Sequence, residues 1–317
     1  MKKIVLGGTG IEVTELCFGA LPIGPLQKDV PVEEAAETIA RALEKGVSFI
    51  DTAQGYKTYP HIRKAIEATG IRPVISSKSM RDDYAGMEEA VQECLDGLGI
   101  DCVDIFYLHA ARAGADVFQA RAGALRCLLD CKARGRIRAV GISTHDVLVT
   151  ELAAGNPDID MVFPILNNKG LGILGGGRAE MERAIEACFA AGKGVCLMKA
   201  LGGGNLGDTY AESMDYARGL LRGRGAVALG MVNIPEVEVA AAYFDGRDIT
   251  RELAHIEVPR KRFIVLKLQC LRCGRCVESC HSGAITLEEG YPVFDRSRCL
   301  TCGYCVTGCP RFAIRMV

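Results

Sequence analysis

A run of four cysteines, Cys270-x2-Cys273-x2-Cys276-x3-Cys280, recurs 29 residues later as Cys299-x2-Cys302-x2-Cys305-x3-Cys309. Eight of the chain's 15 cysteines therefore fall within its last 48 residues, in one fixed spacing used twice. The two-residue gaps let three thiolates of one tight loop reach neighbouring irons of a cubane, and Gly274 and Gly303 permit the sharp turn. The repeat runs on to Ala284-Ile285 against Ala313-Ile314, so the C-terminal stretch reads as a duplicated half. Zinc is the rival metal. It favours closed tetrahedral sites of paired C-x2-C units, not a triple with a distant fourth ligand.

Disulfides are expected in small secreted chains, but here Ile4 to Leu6 after Met1-Lys2-Lys3 is broken by Gly7, Gly8 and Glu12, too soon for a secretory signal. A cytoplasmic address is the expectation. The other cysteines, Cys17, Cys94, Cys102, Cys127, Cys131, Cys188 and Cys196, lie in apolar or helical stretches and read as reduced, mostly buried small hydrophobes. From about Gln269 to the C-terminus the spacing resembles that of bacterial two-cluster ferredoxins. That resemblance implies two 4Fe-4S clusters with crossed ligation. Cys270, Cys273, Cys276 and Cys309 would hold one, and Cys299, Cys302, Cys305 and Cys280 the other. His281 departs from the pattern, which usually has Pro there.

Upstream, short apolar runs alternate with helix-period segments, as expected for strands buried on both faces of a parallel sheet. Strands are expected near Cys17–Leu21, Val47–Asp51, Val74–Lys78, Val103–His109, Ile137–Ser143, Met161–Leu166, Val195–Lys199 and Val227–Met231. Helices are expected at Val32–Glu44, Met87–Leu98, Val117–Ala133, Ala179–Ala191 and Pro235–Tyr243, among others. Hydrophobic residues make up 49% and aromatic residues 6% with no Trp, so the core is built from Ala, Val, Ile and Leu.

Eight alternations make the expected fold class α/β, a (β/α)8 TIM barrel with a small C-terminal α+β ferredoxin-like domain. The division is barrel 1–245, a linker or packing segment 246–262 containing Pro259, and cluster domain 263–317. Lys3 to Val13 reads as a hairpin closing the barrel bottom. Gly8-Thr9-Gly10 lacks the third glycine and following helix of a dinucleotide fingerprint. A net charge of -1 gives no field for nucleic acid or an anionic membrane, and no apolar run reaches spanning length.

Catalytic groups of such a barrel sit at the C-terminal strand ends. Those ends carry Asp51 and Tyr56, then Lys78, then His109. Together they suit carbonyl reduction. Tyr56 would donate a proton to the developing alkoxide, Lys78 would lower its pKa, Asp51 would hold Lys78, and His109 would orient the carbonyl oxygen. Singly, Asp51-Lys78 also reads as a structural ion pair and His109 as a hydrogen-bonded strand-end histidine.

The constellation is similar to the aldo-keto reductase tetrad, and the resemblance covers roughly residues 1 to 245. It implies an NAD(P)H cofactor and a small carbonyl or alcohol substrate. It further implies that Ser143 and Thr144, where the family often has Asn, meet the nicotinamide amide together with Asn167. Phe163 or a neighbour stands where many members have Gln. The loop Lys199 to Gly204, with Gly202, Gly203 and Gly204, would approach a pyrophosphate. Between Ala226 and Gly246 there is no Lys or Arg, so the usual clamp for a 2'-phosphate is missing.

Nicotinamide passes two electrons as hydride, whereas an iron-sulfur cluster accepts one at a time, so a flavin or the substrate itself must split the pair. The fusion points to an iron-sulfur oxidoreductase linked to an external redox carrier such as ferredoxin. Two other readings remain. In one, the tetrad reduces an aldehyde or ketone with NAD(P)H beside structural clusters; in the other, the barrel is a docking scaffold for electron transfer. The loops Gln54 to Pro60, Ala110 to Ala115 and Asn168 to Gly177 carry no signature of a particular substrate.

Overall fold

The computed structural model describes residues 1–253, 263–311 and 313–316. It opens on an antiparallel hairpin of β1 (Lys3–Val5) and β2 (Glu12–Thr14), with Ile4 opposite Val13. Gly8 N donates to Gly192 O at 2.9 Å, just before a barrel strand begins, so the hairpin covers the N-terminal end of the barrel as expected.

Eight strands follow: β3 (Leu16–Gly19), β4 (Phe49–Asp51), β5 (Val74–Ser79), β6 (Val103–His109), β7 (Ile137–Thr144), β8 (Met161–Pro164), β9 (Gly194–Leu197) and β10 (Gly225–Gly230). Each pairs in parallel with the next, and β10 closes on β3 with Val227 opposite Leu16. With helices between the strands this is a (β/α)8 barrel. The strands form because they are apolar on both faces. Inward residues such as Phe49, Ile105, Tyr107 and Met161 pack with the hairpin's Leu6 and Ile11, while outward residues meet the helix layer. Burying each such large side chain stabilises the fold by about 1.5–3 kcal/mol.

Several helices start on side-chain caps. Asp83 accepts from Gly86 N, Asp146 from Val149 N and Asn233 from Glu236 N, each satisfying an orphan donor of a first turn. The helix Val32–Glu44 lies where the periodicity puts it. The segment expected as one helix from Val117 to Ala133 is broken at Arg121 (φ -115°, ψ 24°), whose guanidinium turns to donate to His109 O at 3.0 Å. The strands expected to run to Leu166 and Lys199 stop at Pro164 and Leu197. Lys199 takes a left-handed φ of 62°, which no strand accommodates.

The C-terminal module interleaves its halves. β11 (Phe263–Val265) pairs antiparallel with β14 (Ile314–Met316), and β12 (Ile285–Glu288) with β13 (Tyr291–Phe294). Short helices Arg275–Glu278 and Tyr304–Thr307 follow Gly274 (φ 76°) and Gly303 (φ 87°), where glycine takes a positive φ without strain. Of the segment expected as a linker, Thr250–Leu253 is a helical turn, while 254–262, with Pro259, lie outside the described residues. Among the described residues no helix is long and apolar enough to cross a membrane.

Candidate active site and thiol clusters

The four expected residues meet at one rim. Asp51 ends β4, Lys78 lies on β5, His109 ends β6, and Tyr56 closes the 3-10 turn Gln54–Tyr56. That turn is pinned from two sides: Gln54 Nε2 donates to Glu93 and Ser79 Oγ donates to Gln54 Oε1. Lys78 Nζ donates to Asp51 Oδ2 at 2.6 Å and to Thr52 O at 2.8 Å, and Ser76 Oγ donates to Asp51 Oδ1 at 2.8 Å. The ammonium stands 4.7 Å from the Tyr56 ring centroid, and the Tyr56 and His109 rings meet edge-on at 6.3 Å.

Electrostatics depart from expectation at Tyr56. Its phenol lies well above the ordinary value, first because it is buried and then because Tyr304 and Asp51 face it. Burial decides the direction even though the Lys78 ammonium stands beside the ring. Burial also raises the Asp51 carboxyl, with Lys78 and Ser76 opposing the rise. His109 falls well below its ordinary value through burial and then the Lys78 charge, so its ring is neutral at pH 7.

A roof over this rim comes from the C-terminal module. The His281 ring lies 5.8 Å from that of His109 and 4.0 Å from that of Tyr304. The Tyr304 hydroxyl raises the Tyr56 pKa, yet it ends buried without a partner in hydrogen-bond geometry. The two phenols therefore face each other across the seam. Leu300, 1% exposed, belongs to the barrel's own apolar cluster, and Thr301 Oγ1 donates to Gly203 O at 2.9 Å. Asn205 Nδ2 donates to Cys299 O, and Arg112 donates to Val277 O. The composition of the barrel carried no hint of this roof. The one signal in the chain was His281, standing where the cysteine pattern usually has Pro.

The thiols gather across the repeat. Cys270, Cys273 and Cys276 border one pocket together with Cys309 of the second run. Cys280 of the first run lies within electrostatic reach of Cys299, Cys302 and Cys305. Ala284 N and Ala313 N, equivalent in the repeat, donate to Cys280 Sγ and Cys309 Sγ at 3.2 and 3.3 Å. Among the described residues no three His, Cys, Asp or Glu side chains converge on one ion position. Two sets of four thiols around a wider centre, with amide donors to sulfur, fit cube-shaped clusters.

The expected nicotinamide contacts fit less well. Ser143 Oγ is buried without a partner, as a group awaiting a ligand would be. Thr144 Oγ1, however, accepts from Asp146 N at 3.1 Å, and the Asn167 amide both donates to and accepts from the Leu171 backbone. In the glycine loop, Gly202 N donates to Lys199 O and Gly204 N to Leu201 O, while Gly203 is pressed on Leu300.

A cavity of about 750 Å³ opens beside Asp51, Tyr56, Phe163 and Lys199 and is walled mainly by apolar groups. Its outer wall sets Lys28 against Asp208, Glu212 and Glu236. Gly202 N and Gly204 N thus have partners inside their own loop, and Asp51, Asp208, Glu212 and Glu236 outnumber Lys28 and Lys199 along the cavity wall. Of the residues expected to meet a nicotinamide cofactor, Lys199, Gly203 and Gly204 line this cavity.

Fold and site together define a (β/α)8 barrel roofed by a cysteine-rich module. The sequence pattern of the Aldo/keto reductase family matches residues 15–251, and that of the 4Fe-4S dicluster domain matches residues 269–313. The chain belongs to the aldo/keto reductase family. It is 26% identical over 208 residues to L-galactose dehydrogenase of Arabidopsis thaliana, covering 55% of this chain and 65% of that protein. It is 30% identical over 152 residues to an aldo-keto reductase of Mycolicibacterium paratuberculosis, covering 44% and 51%. The chain thus spans between about half and two-thirds of these relatives' length. Two solved structures share the fold. An aldo-keto reductase from Bacillus halodurans has a TM-score of 0.63 at 19% identity, covering 80% of this chain and 95% of that one. One from Brucella melitensis has a TM-score of 0.59 at 19% identity, covering 80% and 97%.

Proposed function

We propose that this protein is an oxidoreductase that interconverts a small carbonyl compound and its alcohol at the barrel mouth, with electrons passed singly through two 4Fe-4S clusters. The observation that carries the reading is the approach of Tyr304, flanked by Cys302 and Cys305, to the phenol of Tyr56. Cys270, Cys273, Cys276 and Cys309 would hold one cluster and Cys280, Cys299, Cys302 and Cys305 the other, supplying one-electron transfer. The exposure of Cys273 supports electron entry from an external carrier on the side away from the barrel.

The balanced reduction adds two electrons and two protons across the C=O bond. Tyr56 supplies the proton for oxygen, and the proton for carbon comes from solvent through the open cavity. Its high pKa keeps it protonated at neutral pH and lets it protonate only a strongly basic developing alkoxide. Asp51 fixes Lys78 beside the phenol, and the neutral His109 ring donates a hydrogen bond that orients the carbonyl oxygen. Tyr304 and His281 exclude water from above.

The cavity beside Tyr56 lies within the usual range of roughly 300–1,000 Å³ for small-molecule sites. A flavin seated there, between substrate and thiol module, is a second reading. It is favoured by that volume, which exceeds what a small carbonyl compound fills. Acid precipitation of gently purified protein would release the flavin into the supernatant.

The test is anaerobic. Holoprotein reduced with dithionite is mixed with a panel of aldehydes and ketones in D2O, and the cluster absorption and the alcohol product are followed. The reading expects reoxidation of the clusters and solvent deuterium on the former carbonyl carbon. Clusters that stay reduced, or a carbon hydrogen coming only from labelled NAD(P)H, would overturn it. Tyr56→Phe should lower turnover by about 10²–10⁴-fold while the clusters remain reducible. If the barrel is only a docking scaffold, calorimetry will find no affinity for any carbonyl compound, flavin or nicotinamide.

A further inference from the structure

The pocket of Cys270, Cys273, Cys276 and Cys309 is bounded by Arg272, Arg275, Arg311, Leu271 and Leu287. Cys273 is the exposed member of the eight cysteines in the repeat. Exposed leucines accompany it in the same run of chain. Leu268 is 104% exposed and Leu271 60% exposed, although both flank ligand positions. The rim is basic: Lys267, Arg272, Arg275 and Arg311 are all exposed. Lys267 and Arg272 even share the Tyr291 ring, at 4.9 and 4.4 Å. Among the described residues none of these four cations forms an ion pair, so like charges are held together without compensation. The carboxylates Glu278, Glu288 and Glu289 of the same segment are exposed and leave the excess positive.

The excess belongs to the module. From Phe263 to Val317 there are seven basic and four acidic residues, a formal +3 in a chain whose total is -1. Exposed apolar side chains among charged ones suit a small transient interface, and one sign of charge raises encounter rates with the opposite sign. We infer that this collar docks a small acidic one-electron carrier protein, whose carboxylates meet Lys267, Arg272, Arg275 and Arg311 and whose apolar patch seats Leu268 and Leu271 beside the outer thiols. The inference rests on the proposed function, in which the thiol module feeds the barrel. Two reduced carriers each lose one electron, and one carbonyl takes both electrons with two protons to become the alcohol. The carriers leave oxidised.

The probe is a reduced, acidic bacterial ferredoxin mixed with oxidised holoprotein in an anaerobic stopped-flow instrument. The second-order rate of cluster reduction should fall about tenfold or more between low and moderate salt, and fall similarly in Lys267→Glu/Arg275→Glu. Leu268→Ser, which changes no charge and buries nothing, should slow reduction while keeping the salt dependence. Reduction by dithionite and the cluster spectrum should be unchanged in all variants, which controls for folding. A rate indifferent to salt and to charge reversal overturns the docking face. If the carrier docks in this way but no carbonyl compound reoxidises the clusters, the docking stands and the barrel reading fails. If dithionite-reduced protein turns over substrate while the acidic carrier ignores the collar, only the docking fails.

Discussion

The α-carbon of Gly203, after β9, stands so close to Leu300 of the thiol module that a β-carbon on it would lie 2.0 Å from the Leu300 carbonyl oxygen. Neither backbone can yield cheaply, because Leu300 is anchored in the barrel's apolar cluster and Gly203 O accepts from Thr301. The seam between barrel and module is thus a close backbone approach, and it lies beside the candidate active site.

Gly203→Ala should separate the module from the barrel. Gly204 is the control: it also has a positive φ, but a β-carbon there meets nothing within 4 Å. Both substitutions strain a positive-φ position, by about 1–2 kcal/mol for left-handed Gly203, and only the first adds the clash. Chemical denaturation should show Gly203→Ala as the less stable variant, with an earlier, separate transition for the thiol module. Equal losses in the two variants would mean the seam does not hold the domains.

The Asp51-Lys78 pair is buried on both sides, with side chains 6% and 1% exposed. Removing one partner leaves an uncompensated charge, so Asp51→Asn or Lys78→Met alone should cost about 3–5 kcal/mol. The double variant should recover a large part of that loss, and thermal unfolding measures it. Additive losses would show that the two residues act separately.

Acid should destabilise the barrel through His109. In the folded chain its pKa lies well below the ordinary imidazole value of about 6.5, so below that pH the unfolded chain takes up a proton that the folded chain refuses. Stability conferred by this depressed pKa is complete above about 6.5 and is lost as pH falls toward the folded value, by up to ~1.4 kcal/mol per pH unit. His145, also pushed well down by burial, adds to the same slope. Unfolding curves for His109→Gln should depend less steeply on pH between neutrality and mild acid; an unchanged slope would assign the acid sensitivity to other groups.

Crossed ligation predicts which cysteine variants resemble one another. Cys309→Ala should give the reduced-state EPR spectrum of Cys273→Ala, and Cys280→Ala that of Cys302→Ala. If each run served its own cluster, Cys280→Ala would instead match Cys273→Ala.

Much of this molecule is legible along the chain because it follows from local periodicity and spacing. Runs such as Val103–His109 are apolar on both faces and need no distant information to read as buried parallel strands. Their ends therefore point to Asp51, Lys78 and His109 before any fold is known. The cysteine repeat is legible for the same reason, since the turns at Gly274 and Gly303 are set by adjacent residues. What tertiary structure alone decided lies at the meeting of segments far apart in sequence. Tyr304 reaches Tyr56 across 248 positions, and Leu300 lands on Gly203 across 97. Thr144 and Asn167 look available until the loops beside them take up their hydrogen bonds. Tyr56 looks acidified by Lys78 until burial, with Tyr304 and Asp51 facing the phenol, raises its pKa instead. Burial and hydrogen-bond partners are properties of the packed assembly, because solvent exclusion depends on every segment that covers a group, while strand and turn propensity depend on a few neighbours.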